Sequence, residues 1–204
     1  MDTGVSVVGS GQVSGTPDVL RVSLGVEHAA PDVASAVARV GERTDAVMAA
    51  LRGLGIEESQ LGTSAVNVYQ DYREPDSAPA YRASHTISIE TGDLTGFGEL
   101  LNAAVDAAGN SLSLHGMQFD IEDKTDLLIQ ARELAFQQAK EKAGQLAALA
   151  GFSLGSVTAM AETQGHFPIR AAANASKGAY DSALNITPGD HTVSVSLEVH
   201  FAWA

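Results

Sequence analysis

The 204-residue chain contains no cysteine, which excludes disulfides, thiolate metal sites, iron–sulfur clusters and thiol nucleophiles. It carries only 12 basic residues against 25 acidic ones, a formal net charge of −13. A nucleic-acid-binding protein needs a basic surface, and this composition provides none. Anionic membrane surfaces are disfavoured for the same reason. We therefore expect an acidic protein with no nucleic-acid partner.

Long apolar runs are also missing. No run reaches the roughly 18 residues that a membrane-spanning helix needs, and the first residues, Met1-Asp2-Thr3-Gly4, lack the basic and apolar regions of a signal peptide. The expectation is a cytoplasmic protein if the native chain is complete, and a periplasmic or secreted one if a leader has been removed. Aromatic residues make up only 5% of the chain, so valine, alanine and leucine must fill the core.

Alternation of apolar and polar residues predicts strands at both ends of the chain. Leu20, Val22, Leu24 and Val26 alternate with polar or small residues, and 193–203 repeats the pattern strictly. In 111–122 the apolar positions change phase at His115-Gly116, which predicts a one-residue β-bulge.

Helical periodicity predicts three helices, beginning after Asp32, at Asp93 and after Asp123. The second extends to Ala108. The third covers 124–150, and its predicted inner stripe is Leu127, Ala131, Leu134, Ala135, Gln138, Ala139, Leu146 and Leu149.

The order of elements predicts an α+β fold in one domain, 1–204. The segments 19–91 and 111–203 share one predicted order of elements: strand, helix, glycine-containing turn, strand, loop and strand. We interpret these segments as pseudo-duplicated βαββ units joined by the second helix. About seven strands then form one curved, mostly antiparallel sheet with the three helices packed on one face.

No motif in the sequence predicts a catalytic, cofactor-binding or metal-binding residue. Gly151-Phe152-Ser153-Leu154-Gly155 matches a hydrolase nucleophile elbow, but a predicted helix precedes it and a strand follows, the reverse of that motif. Gly9-Ser10-Gly11 resembles a phosphate-binding loop without the helix that such a loop needs, and turn or strand-edge glycines are the simpler interpretation. The six histidines show no ligand spacing, and helix capping explains the acidic residues of 120–126.

The segment 165–190 shows no convincing periodicity and is too apolar for a solvated tether. Loops of this length are usually functional, disordered or part of an interface. The segment either packs on its own domain or contacts another subunit. Its candidate oligomer-contact residues are Phe167, Ile169, Tyr180, Leu184 and Ile186.

An ordered series of short stretches resembles the SIMPL domain family, formerly a domain of unknown function, over nearly the whole chain. Its bacterial members include periplasmic immunogenic antigens and proteins named for oxidative-stress defence. The matching stretches are 5–11 with Pro17-Asp18, 54–56 through 61–64, 81–84, 119–123 leading into Ala131-Arg132, Ala139-Lys140 and Lys142-Ala143, and Pro188-Gly189 before 193–196.

The resemblance implies an α+β fold with helices against a curved sheet, and homo-oligomeric assembly. It supplies no catalytic residues. The leading hypothesis is therefore a non-enzymatic, self-assembling protein with an envelope or stress-related role. A binding module for a small apolar ligand or a peptide is the alternative, and a serine hydrolase using Ser153 is a remote one.

Overall fold

The computed structural model describes residues 4–71, 80–163 and 188–204. Within these ranges the strands form two antiparallel sheets, ordered β1-β7-β6 and β3-β4-β2-β5, where one sheet was predicted. The predicted α+β class is confirmed. The elements are β1 (Gly4–Gly15), β2 (Val19–Ala30), α1 (Val33–Gly53), β3 (Leu61–Asp71), β4 (Ala80–Thr91), α2 (Phe97–Ala108), β5 (Leu112–Asp120), α3 (Thr125–Ala150), β6 (Leu154–Thr163) and β7 (His191–Trp203).

The chain divides into two compact units. The central unit contains β2 to β5 with α1 and α2, and the terminal unit contains β1, α3, β6 and β7. Three strands of each sheet follow a matching order, β3-β4-β2 in the central unit and β6-β7-β1 in the terminal unit. The strand that begins the second predicted repeat, β5, lies in the central sheet. The single domain over 1–204 and its repeats at 19–91 and 111–203 stay predictions.

The core of the central unit lies between its two helices and one face of its sheet. The alternation predicted in β2 is confirmed, because Leu20, Leu24 and Val26 are completely buried. The opposite face carries Arg21 and Ser23. The residues of α1 that are buried recur every three or four positions: Ala36, Val40, Thr44, Val47 and Leu51.

Aspartates precede the helices, and one predicted boundary is wrong. Asp32 is the N-cap of α1 and accepts a hydrogen bond from the Ser35 amide at 2.9 Å, as predicted. Asp93 does not begin α2. It accepts from the Thr95 and Gly96 amides at 2.9 and 3.0 Å in a turn, and the helix starts at Phe97. Aspartate is common both in such turns and at N-caps, so the residue type alone does not distinguish the two.

The predicted bulge in β5 is confirmed. Ser23 pairs with Gly116 while the next residue of β2, Leu24, pairs with Leu114, so His115 is the extra residue. The bulge lets residues on both sides of it, Leu112 before and Met117 after, pack against the same core.

The core of the terminal unit consists of one helix lying very close to two strands. Five alanines spaced four residues apart face the sheet, and all are at most 2% exposed: Ala131, Ala135, Ala139, Ala143 and Ala147. Opposite them lie Gly9 and Gly11, which belong to β1 and not to a turn. A Cβ on Gly9 would collide with the carbonyl oxygen of Ala135, and one on Gly11 with that of Ala131.

This close approach corrects the predicted inner stripe of α3. Its alanines are buried, but Leu134, Leu146 and Leu149 are 47%, 44% and 86% exposed. A leucine at an alanine position would hold the helix away from the glycines of β1. The stripe of buried residues is therefore narrower than hydrophobicity alone predicted.

Candidate functional site

One edge of the terminal sheet is covered by its own helix. The backbone amide of Ser10 in β1 donates to the side-chain oxygen of Gln138 at 2.8 Å. The Lys142 ammonium donates to the carbonyl oxygen of Val8 at 2.8 Å. Backbone groups of an edge strand that are already bonded cannot pair with another chain. The β1 edge is therefore blocked over these residues.

The other edge, β6, lacks such cover within the described residues. It pairs with β7 on one side only, and its exposed side chains include Val157 and Met160, which are 40% and 59% exposed. The Glu162 side chain of β6 forms an ion pair with Arg132 of α3, with 2.8 Å between the Glu162 oxygen and the Arg132 nitrogen. An exposed edge strand with apolar side chains is a template for pairing with another strand.

An apolar groove lies beside β6 on the side of α3. Its volume is about 450 Å³, and Phe136, Met160 and Leu197 supply its apolar lining. The Arg132–Glu162 ion pair lies at its margin. The ion pair raises the pKa of Arg132 and lowers that of Glu162, so both groups stay charged at neutral pH. The groove can hold an apolar side chain or small molecule.

A third exposed apolar feature lies at the end of α3. The Phe152 ring stacks on that of Trp203 with 5.1 Å between ring centres, and Phe152 is 53% exposed. Leu149 is 86% exposed, the highest value among the large apolar side chains described. Exposed apolar side chains of this size mark protein–protein contacts when they form a patch.

The central unit has an open sheet face with polar side chains. Arg21 in β2 forms ion pairs with Asp120 in β5 and with Glu90 in β4, the latter at 3.0 Å. Farther along, Arg82 pairs with Glu27 at 3.3 Å. A shallow cavity of about 520 Å³ lies beside Arg21 on this face.

The candidate oligomer-contact residues lie outside the part of the chain that the structure describes. These are Phe167, Ile169, Tyr180, Leu184 and Ile186, and their role stays a prediction. Sequence reasoning missed the β6 edge because no local motif distinguishes an edge strand from a central one. The strand predicted from the strict alternation of 193–203, β7, lies at the centre of its sheet.

Ser153 lies between a helix and a strand, as predicted. Gly151 before it has the left-handed conformation that ends α3, with φ of 77°. The Ser153 carbonyl oxygen accepts a hydrogen bond from the Ala204 amide at 2.9 Å. A nucleophile elbow needs a strand before the serine and a helix after it. The geometry that would activate Ser153 is therefore not found here.

Titratable groups do not converge on a metal site within the described ranges. No three histidine, aspartate or glutamate side chains there are close enough to share an ion. Asp123, in the acidic stretch before α3, accepts a hydrogen bond from the Thr125 amide at 2.9 Å, and the Thr125 hydroxyl and amide lower its pKa. Among the helices of the described ranges, none combines the length and hydropathy of a membrane span.

Comparison with known proteins gives a family match over nearly the whole chain. The family model SIMPL, described as "Protein of unknown function (DUF541)", matches residues 5–201. The chain is 26% identical over 219 aligned positions to the 26 kDa periplasmic immunogenic protein of Brucella melitensis biotype 1, covering 97% of this chain and 83% of that protein. The protein of the same name from Brucella abortus strain S19 matches with the same identity and coverage.

Proposed function

The chain belongs to the SIMPL family, and on that premise we propose that it is a non-enzymatic protein of the cell envelope that acts as a homo-oligomer, with a stress-related role. The exposed β6 edge is the single observation that carries the proposal. The Brucella relatives are named as periplasmic proteins, which supports the envelope location.

The two edges of the terminal sheet favour assembly through β6. Because Gln138 and Lys142 occupy backbone groups of β1, that edge is a poor template for pairing. Two β6 strands pairing antiparallel across a twofold axis would join two three-stranded sheets into one of six. Such an interface is self-complementary, since each copy presents the same surface. Val157 and Met160 would then be buried at the contact.

The segment 165–190 is proposed as a second part of the interface. Its apolar residues Phe167, Ile169, Tyr180, Leu184 and Ile186 are too many for a solvated tether. Burial of several such side chains would stabilise an assembly by roughly 1.5–3 kcal/mol each before association costs.

Light scattering after size exclusion tests the assembly. The unmodified chain is expected to give one discrete oligomer at micromolar concentration, and Val157→Lys with Met160→Lys is expected to reduce it to a smaller species. A lysine on an edge strand disfavours pairing because its charge would be desolvated. The matched control is Val8→Lys, also at an exposed position, 53% exposed, but on the blocked β1 strand.

Two results would contradict the proposal. The first is a monomeric unmodified chain. The second is an oligomer of unchanged mass in both the lysine double variant and a chain lacking 165–190. Disassembly by the deletion alone would assign the interface to that segment and not to β6.

Cell fractionation and survival tests address the envelope and stress roles. The protein is expected in the periplasmic fraction, and a strain lacking it is expected to tolerate an oxidant less well than its parent. Because the chain has no cysteine, any protection cannot be thiol chemistry. The envelope role would be contradicted if the protein were recovered in the cytoplasmic fraction. The stress role would be contradicted if the strain lacking the protein survived the oxidant as well as its parent.

A second candidate function is binding of a small apolar ligand or peptide. The groove lined by Phe136, Met160 and Leu197 favours it. A ligand of this kind should copurify with the protein and appear in native mass spectra. Met160→Lys should abolish binding of the ligand. A chain that carries no ligand and binds no apolar probe would remove this alternative.

A further inference from the structure

An exposed group of large apolar side chains lies at the end of α3 in the terminal unit. Leu146 and Leu149 are 44% and 86% exposed, and their spacing of three residues places them side by side on the helix. Phe152 follows after the turn that ends the helix, is 53% exposed, and stacks on Trp203 at the end of β7. We call these four residues the apolar tip.

The apolar tip lies far from the points where the chain crosses between the two units. The chain leaves the terminal unit after β1 and returns to it before α3. Both points are at the end of the sheet where Gly15 pairs with His191, since a Cβ on Gly15 would lie 2.8 Å from Ile121. Trp203 lies at the other end of β7, roughly 40 Å away along the strand.

The sequence around the apolar tip lacks acidic residues. The chain has 25 of them, but none falls within 142–161, which contains the end of α3 and most of β6. The preceding acidic residue is Glu141, roughly 12 Å along the helix axis from Leu149. This stretch therefore differs from the rest of a chain whose formal net charge is −13.

The end of α3 attracts cationic groups. Aligned peptide dipoles give the C-terminus of a helix roughly half a negative charge. The last turn of α3 contains no basic residue that would compensate it. A substituted ammonium group is also attracted to the face of an aromatic ring, and Phe152 provides an exposed one. The headgroups of phosphatidylcholine and phosphatidylethanolamine carry an ammonium group above an apolar layer.

We propose that the apolar tip docks on a zwitterionic phospholipid surface. Exposed apolar patches mark contacts with protein or with lipid. Leu149, at 86% exposed, protrudes from the unit and suits a soft lipid layer, which needs no matching pocket. Tryptophan prefers the boundary between lipid and water, which is the level that Trp203 would occupy behind Phe152. The acidic chain is repelled by anionic lipids, so the surface is a zwitterionic one.

The fluorescence of Trp203 tests this docking directly, because the chain has one tryptophan. The full chain is mixed with vesicles of phosphatidylcholine. The emission is expected to move to shorter wavelength, and phosphatidylcholine brominated on its acyl chains is expected to quench it. Vesicles with equal parts of phosphatidylglycerol should bind more weakly, because their surface and the chain are both negatively charged.

Leu149→Lys provides the second measurement. It should weaken vesicle binding about tenfold or more, because an apolar contact is lost and a charge must be desolvated. Leu149→Ser, which adds no charge, should weaken binding by a smaller factor. Leu134→Lys is the matched control, since it lies on the same helix, is 47% exposed and changes the charge equally. It lies roughly 22 Å from Leu149 along the helix and should bind like the unmodified chain.

Several results would overturn the proposal. They are an unchanged Trp203 emission with phosphatidylcholine vesicles, tighter binding to the vesicles that contain phosphatidylglycerol, and equal binding by folded Leu149→Lys and Leu134→Lys, with circular dichroism as the test of folding. A smaller oligomer in Leu149→Lys without vesicles would instead assign the apolar tip to a contact with a second copy. A monomeric unmodified chain that still binds vesicles would contradict the assembly through β6 and support the docking.

Discussion

The carbonyl oxygen of Ala135 in α3 faces Gly9 of β1 so closely that no Cβ fits between them. Gly9→Ala is therefore expected to lower the free energy of unfolding by about 1–3 kcal/mol, because the helix must move away from the sheet. Urea denaturation followed by circular dichroism measures the change.

Gly144→Ala is the control for that substitution. Gly144 lies on the same helix, where an added Cβ meets no atom within 4 Å. Alanine there should raise stability by about 0.5–1 kcal/mol, since glycine is a poor helix former. If both alanines had the same effect, the close approach of α3 to β1 would not limit stability.

Removal of the Arg21 side chain should destabilise the central unit. Arg21→Met leaves the carboxylate of Asp120, 4% exposed, without its guanidinium partner. We expect a loss of about 2–3 kcal/mol, less than for a fully buried pair because Arg21 is 36% exposed. The double variant Arg21→Met with Asp120→Leu should recover part of this loss. A double variant as unstable as the sum of both single ones would show that the two side chains do not interact.

The blocked β1 edge gives a prediction about aggregation. Gln138→Ala with Lys142→Ala frees the Ser10 amide and the Val8 carbonyl for pairing with another chain. This variant is expected to form larger species than the unmodified chain under the same conditions, as seen by light scattering. Gln137→Ala with Glu141→Ala, on the same helix, is the control. Equal masses in both variants would show that these contacts do not protect the edge.

The N-cap of α1 gives a pH-dependent contribution to stability. Hydrogen bonds from the amide and then the hydroxyl of Ser35 lower the pKa of Asp32 below its ordinary value of 3.8. A carboxyl whose pKa is lowered on folding stabilises the fold fully above that ordinary value, and the contribution disappears as the pH falls through the lower folded pKa. Asp32→Asn keeps an acceptor but cannot titrate.

Thermal unfolding between neutral and acidic pH tests this contribution. The unmodified chain should be more stable than Asp32→Asn at neutral pH, and the difference should shrink below pH 3.8. Asp45→Asn, an exposed position in the middle of α1, is the control. A difference that is constant with pH would exclude the Asp32 carboxylate as its source.

The sequence predicted those parts of the fold that depend on local periodicity. The strand at Leu20 to Val26, the cap at Asp32 and the bulge at His115 are visible in the order of apolar and polar residues alone. The close contacts of Gly9 and Gly11 with α3 were not visible in the sequence, because a pair of glycines usually indicates a turn. Here the reason for glycine lies more than a hundred residues away, in the alanines of α3.

The candidate sites were invisible in the sequence for the same reason. Arg21, Glu90 and Asp120 come from three strands, and no short motif contains them. Which strand forms a sheet edge depends on pairing between distant segments. Periodicity identified β6 and β7 as strands, but it could not show which strands lie beside them in the sheet.

Because β1 pairs with β7, the terminal sheet cannot form until nearly the whole chain has been synthesised. Gly15 pairs with His191 and Gly4 with Ala202, so β1 leaves the ribosome long before its partner strand exists. The strands of the central unit all lie between residues 18 and 120 and can pair as soon as β5 is made. Until translation reaches β7, β1 has no partner strand, and unpaired strands are prone to aggregation.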